Sequence, residues 1–103
     1  MSQAISKKEL NLLVNNSKVI LLDVRSAKEY NDFHIPTAIN VPLEQIEKGT
    51  FQPEEYICII TICATGGGRS IRAANILAKQ FNNPVYYLDG GTYDWFEISQ
   101  ATH

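Results

Sequence analysis

The sequence predicts an α/β fold: a mainly parallel central sheet of about five strands with helices on both faces. Three observations lead there. Short continuous apolar runs rich in β-branched residues recur at 18–24, 56–62 and 85–88, as in strands buried on both sides. Segments with helix-start signals alternate with these runs, which implies parallel pairing through crossovers. No repeat, low-complexity tract or linker interrupts the 103 residues. A single domain over 1–103 is therefore expected, long enough for a real core.

The elements follow in order. Ser6-Lys7-Lys8-Glu9 is a capping box and predicts a first helix to about Val14, with Leu10, Leu13 and Val14 on one face. "KVILLDV" (18–24) is the first buried strand. Ser26-Ala27-Lys28-Glu29 is a second capping box and opens a short helix. "HIPTAINVP" (34–42) places two prolines around Ala38-Ile39-Asn40-Val41, read as a short strand, and Leu43 to Glu47 as a helical turn. "YICIITI" (56–62) is the most apolar strand and is expected at the sheet centre. A helix from Ser70 to Phe81 carries Ile71, Ala74, Ile76, Leu77 and Phe81, and "NNP" (82–84) ends it. "VYYL" (85–88) is the next strand and "DGG" (89–91) a turn. Thr92 is expected to cap a last helix bearing Trp95, Phe96 and Ile98.

Composition narrows the function. A formal net charge of −2 and a pI near 5.6 leave no global positive field for nucleic acid or an anionic membrane. The start, "MSQAISKKEL", shows no apolar h-region and no cleavage site, so no signal peptide is expected. No apolar run approaches the ~18 residues that a membrane span needs. Cys58 and Cys63, five positions apart on a strand, lie roughly 16 Å from one another and leave opposite faces. They cannot pair. Two free thiols fit a reducing, cytoplasmic compartment, and no metal-ligand spacing accompanies them.

The chemistry concentrates in "ICATGGGRS" (62–70). Cys63 ends the central strand, where ligands of open α/β sheets bind. Gly66, Gly67 and Gly68 can turn successive N–H groups inward as an anion cradle, with Ala64 and Thr65 completing the loop. Arg69, at the start of the next helix, adds a planar charged fork suited to oxyanions. Together these favour the Cys63 thiolate, so Cys63 is the candidate nucleophile and residues 64–69 the candidate substrate-binding loop. The spacing is not that of a nucleotide P-loop.

Other residues read as structural. Asp23 and Arg25 share a direction at a strand end and are expected to pin loops. His34 sits in a proline-flanked loop, and Cys58 is mid-strand core. Arg72 lies one turn beyond Arg69 and either widens a positive mouth or is solvated. Asp89 is expected to accept backbone N–H bonds in its turn, and Tyr93 and Trp95 to pack the last helix.

These residues carry a resemblance. "LLDVRSAKEYNDFHIPTAINVP" (21–42), "ICATGGGRS", "RAANILAKQF" (72–81) and "VYYLDGGTYDW" (85–95) resemble, in order, the signatures of rhodanese-like single-domain sulfurtransferases. The resemblance implies that Cys63 attacks the sulfane sulfur of a small anionic donor such as thiosulfate. It then carries a persulfide and yields the sulfur to a thiol, cyanide or a protein partner in a sulfur relay. It implies no cofactor, and a monomer is expected. Phe33 and Thr37 stand where the family often has glycine. Five residues separate Cys63 from Arg69, where rhodaneses usually have four. The longer spacing is that of related cell-cycle phosphatases and arsenate reductases, although Ile62 replaces the histidine that typically precedes the phosphatase cysteine. Phosphatase or arsenate reductase chemistry is therefore the alternative, and a non-catalytic regulatory module the third.

Overall fold

The computed structural model describes residues 2–97. Strands β1 (Gln3–Ile5), β2 (Val19–Asp23), β3 (Ile39–Asn40), β4 (Cys58–Ile62) and β5 (Val85–Leu88) form one sheet in the order β1-β5-β4-β2-β3. Every pairing is parallel. The helices are α1 (Lys7–Leu13), α2 (Ala27–Asp32), α3 (Leu43–Glu47), α4 (Gly68–Gln80) and α5 (Gly91–Trp95).

β4 lies at the centre, and each of its five residues is buried. Alternation along β2 and β4 divides the core in two. One side gathers Ile5, Leu10, Leu21, Ile60, Ile62 and Leu88, with Leu13 and Trp95 packed against them. The other gathers Leu22, Ile46, Ile59, Ala73, Ala74, Leu77 and Val85. Helices α1 and α5 thus cover one face, and α3 and α4 the other, as an apolar run on a two-sided strand demands. Cys58 belongs to the first cluster and Cys63 to the second, and both are free thiols.

Both capping boxes form. Ser6 and Glu9 close α1, and Ser26 and Glu29 close α2. Three expectations differ from the structure. β1 was not anticipated: Gln3 and Ala4 are exposed and only Ile5 is buried, so the strand exists through its pairing with β5 rather than through its own pattern. α4 begins at Gly68, two residues before Ser70, because the Gly67 carbonyl already accepts the Ile71 N–H at 3.2 Å. Thr92 is not a cap: Gly90, at φ +81°, occupies that position, and Thr92 lies inside α5. The helix ends at Trp95, with Phe96 as its C-cap, and Ile98 lies outside the described residues.

Candidate active site

β4 delivers Cys63 to the carboxyl edge of the sheet, where the thiol is 3% exposed. Burial alone would push that thiol up. The opposing interactions prevail. The Ser70 hydroxyl and the N–H groups of Ser70, Thr65 and Gly66 hold the Cys63 thiol below its ordinary value. Sγ lies 3.2 Å from Ser70 Oγ, which is itself 3.2 Å from the Gly67 carbonyl. A hydroxyl has one proton to give. When Cys63 is protonated its S–H donates to Oγ, and Oγ–H donates to Gly67. When Cys63 ionises, Oγ–H can turn to the sulfur. Ser70 is fully buried, and its carbonyl accepts the buried Thr61 hydroxyl at 2.7 Å, so β4 holds the first turn of α4 in place.

The glycines divide in their work. Gly66 has φ +79°, and a Cβ there would lie 2.4 Å from the Gly90 nitrogen and 2.8 Å from the Leu88 oxygen. The loop is pressed directly onto the end of β5, so only glycine fits. A Cβ on Gly67 would make ordinary contact with Thr65, and one on Gly68 would meet open space. Gly91 is the counterpart of Gly66 across the contact: its Cβ would fall 2.5 Å from the Cys63 oxygen. From the same turn, the Thr92 N–H donates to the Cys63 carbonyl at 2.9 Å and the Tyr93 N–H to the Ala64 carbonyl at 3.0 Å. The opening of α5 therefore spends its free donors on the base of the loop. On the other side of the loop, the N–H groups of Thr65, Gly66 and Ser70 face the sulfur.

Arg69 stands in the first turn of α4, and its fork is engaged. Nη1 and Nη2 donate to the two carboxylate oxygens of Glu29 on α2, at 2.7 and 3.1 Å. The same Glu29 accepts the Ser26 N–H at 3.2 Å as part of its capping box. Arg69 pulls the Glu29 carboxyl down to about 2. The pairing with Glu29 raises Arg69, and the negative charge of Cys63 adds to that, so Arg69 lies within electrostatic reach of the thiol.

The sequence profile of the rhodanese-like domain matches residues 6–98. The chain belongs to the rhodanese-like domain family. Among curated members it is similar to thiosulfate sulfurtransferase GlpE of Shewanella oneidensis, with 29% identity over 95 residues that cover 92% of this chain and 93% of GlpE. It is also similar to YrkF of Bacillus subtilis, named a sulfur carrier protein, with 37% identity over 75 residues that cover 73% of this chain and 40% of YrkF. The chain spans 22–40% of the length of several curated relatives. Among solved structures, the human single-domain sulfurtransferase TSTD1 shares the fold at a TM-score of 0.79 and 23% identity, over 97% of this chain and all of that one.

In this rhodanese-like domain the loop brings Cys63, Thr65, Gly66 and Ser70 together and turns Arg69 toward Glu29. Thr65 is exposed at the loop rim. Asp23 and Arg25, expected to pin loops through other groups, pair with each other. Both are buried, Arg25 Nη2 lies 2.8 Å from Asp23 Oδ2, and Arg25 also donates to the Phe33 carbonyl at 2.7 Å. His34 stacks on Tyr30 with ring centres 3.7 Å apart, and its Nδ1 lies 2.9 Å from the Tyr30 carbonyl. Arg72 is bound to Glu47 at 2.6 Å. The Asp89 carboxylate, expected to accept backbone N–H bonds, accepts none among the described residues; its own N–H donates to the Ile5 carbonyl and ties β1 to the turn. The sequence reading missed three contributors: the Ser70 hydroxyl, the Gly90–Tyr93 clamp and Glu29. Ser70 was within reach of inspection, as the only hydroxyl in the first turn of the helix after the loop.

Proposed function

We propose that the protein is a sulfurtransferase in which Cys63 carries the transferred sulfur as a persulfide. The Cys63 thiolate attacks the outer sulfur of thiosulfate. The new Sγ–S bond forms as the S–S bond of the donor breaks, and sulfite departs with the bonding electron pair. A thiol, a cyanide ion or a partner protein in a relay then attacks the outer sulfur of the persulfide and restores the thiolate. The observation that carries this reading is a buried thiol held below its ordinary value by Ser70 and by the N–H groups of Thr65 and Gly66. The same donors would stabilise the negative charge of a persulfide. The whole-length likeness to GlpE supports thiosulfate as a donor class. The likeness to YrkF supports a relay. Two free cysteines suit a cytoplasmic setting, and no helix among the described residues is long and apolar enough to cross a membrane.

One observation favours a second reading. The five residues between Cys63 and Arg69 give the loop length of phosphatases and arsenate reductases that use the same thiolate. Steady-state assays separate the two. Thiosulfate with cyanide should yield thiocyanate, a product that Cys63→Ala fails to make. Turnover of an aryl phosphate or of arsenate without thiocyanate formation would replace the proposal with the second reading.

A further inference from the structure

The charges around the loop do not favour every anion equally. The Cys63 thiolate contributes one negative charge. Arg69 contributes one positive charge, and Glu29, bound to it through both oxygens, takes that charge away. Nearby Asp23 and Arg25 cancel one another in the interior. Arg72, the other arginine of α4, is held by Glu47. Lys28 on α2 faces Asp32, both well exposed. With Cys63 ionised, the mouth therefore holds a net negative charge, and its attraction for anions rests on loop N–H groups alone. Glu29 is also not free to swing away, because its Oε1 accepts the Ser26 N–H and hydroxyl at 3.2 and 3.1 Å. The capping box of α2 therefore holds the carboxylate against Arg69.

We infer that Glu29 determines donor specificity: by neutralising Arg69 it selects against donors with two negative charges and favours sulfane donors with one or none, such as hydropersulfides of small thiols. The inference rests on the sulfur-transfer reading above. With a hydropersulfide R–S–SH the thiolate attacks the outer sulfur. The Sγ–S bond forms, the S–S bond of the donor breaks, R–S⁻ leaves with the electron pair, and the proton stays on the new Cys63 persulfide. The donor brings no negative charge in, and R–S⁻ carries away the one that was on Cys63. With thiosulfate, two negative charges must approach a third, and sulfite carries two away. Glu29 touches neither sulfur and acts only through Arg69. It is a positioning residue, and its removal should change preference more than it changes capacity.

Glu29→Gln tests this while keeping the fold, since glutamine also completes a capping box. The first measurement needs no sulfur transfer: alkylation of Cys63 by neutral iodoacetamide and by anionic iodoacetate, followed by peptide mass mapping. The iodoacetate-to-iodoacetamide rate ratio should rise about fivefold in Glu29→Gln at low salt and converge on wild type near ~1 M salt. Glu47→Gln, which frees only Arg72, should leave the ratio within about twofold of wild type. The second measurement is sulfur loading. Glu29→Gln should load from thiosulfate about fivefold faster, while loading from the hydropersulfide of 2-mercaptoethanol stays within about twofold. An unchanged alkylation ratio overturns the inference. So does a raised ratio with the same donor preference as wild type. If neither donor loads sulfur onto Cys63 while the ratio rises, the sulfur-transfer reading fails, and Glu29 stands as a charge gate for a different substrate.

Discussion

Cys58 opens the central strand and Cys63 directly follows its last residue, and both are buried and free. Their environments push them apart. Around Cys58 the effect is burial, which raises the thiol. Around Cys63 burial acts in the same direction but is overcome by the Ser70 hydroxyl and by loop N–H groups. Cys58 also borders a surface hollow of about 570 Å³ between the starts of β4 and β5 and helix α1, lined by Leu12, Leu13, Ile57 and Tyr86. A neighbouring hollow therefore does not mark the end where the thiol is lowered. Directed N–H groups do, and the sheet supplies them only at its carboxyl edge, where a strand passes into a loop and a helix. The same residue type is raised by burial at one end and lowered by directed donors at the other.

That contrast depends on the loop staying pressed against β5, so the largest effect should come from Gly66. Gly66→Ala puts a Cβ onto backbone atoms of the 88–90 turn at a positive φ. It should destabilise the protein by roughly 2–4 kcal/mol and slow iodoacetamide reaction at Cys63 toward that of Cys58. Gly68→Ala, which meets nothing within 4 Å, should leave both properties near wild type. Urea titration and cysteine alkylation rates read the pair.

Next comes Ser70. Ser70→Ala removes the hydroxyl 3.2 Å from Sγ while the loop N–H groups remain. Alkylation of Cys63 at neutral pH should slow by about tenfold. The midpoint of its pH profile should move up, and Cys58 should be unaffected. An unchanged profile would show that the backbone alone holds the thiol down.

The strand, loop and helix around Cys63 were legible because they are contiguous: an apolar run, three glycines and an amphipathic helix carry their own local signals. Both capping boxes were legible for the same reason. What escaped was non-local. Glu29 and Arg69 are forty positions apart in the chain, and nothing in either segment announces that α2 delivers its N3 carboxylate to the loop. The clamp by Thr92 and Tyr93 uses backbone N–H groups, which no side-chain pattern reports. β1 was hidden because its burial comes from β5. The candidate cradle was thus visible in outline, while the groups that charge it, lock it and brace it came from packing.

A smaller effect concerns acid. The folded Glu29 carboxyl is depressed from 4.5 to about 2. A depressed carboxyl stabilises the fold above its ordinary value, and that contribution is lost as pH falls. Wild type should therefore lose stability between about pH 4.5 and 2 more steeply than Glu29→Gln. The pair is part-exposed, so the difference should be modest, and urea midpoints across this range measure it. The smallest effect lies away from both thiols. Thr37 adopts φ +72°, which strains a β-branched residue. Thr37→Gly should stabilise by about 0.5–1 kcal/mol and leave both alkylation rates unchanged.

The central claim is that Cys63, and not Cys58, carries sulfur. Its most direct test is the intact mass of reduced protein after exposure to thiosulfate and, separately, to the hydropersulfide of 2-mercaptoethanol, with Cys63→Ser and Cys58→Ser alongside. The account predicts a gain of one sulfur atom, removable by cyanide, on wild type and Cys58→Ser, and no gain on Cys63→Ser. Sulfur retained by Cys63→Ser, or absent from wild type with both donors, would contradict it.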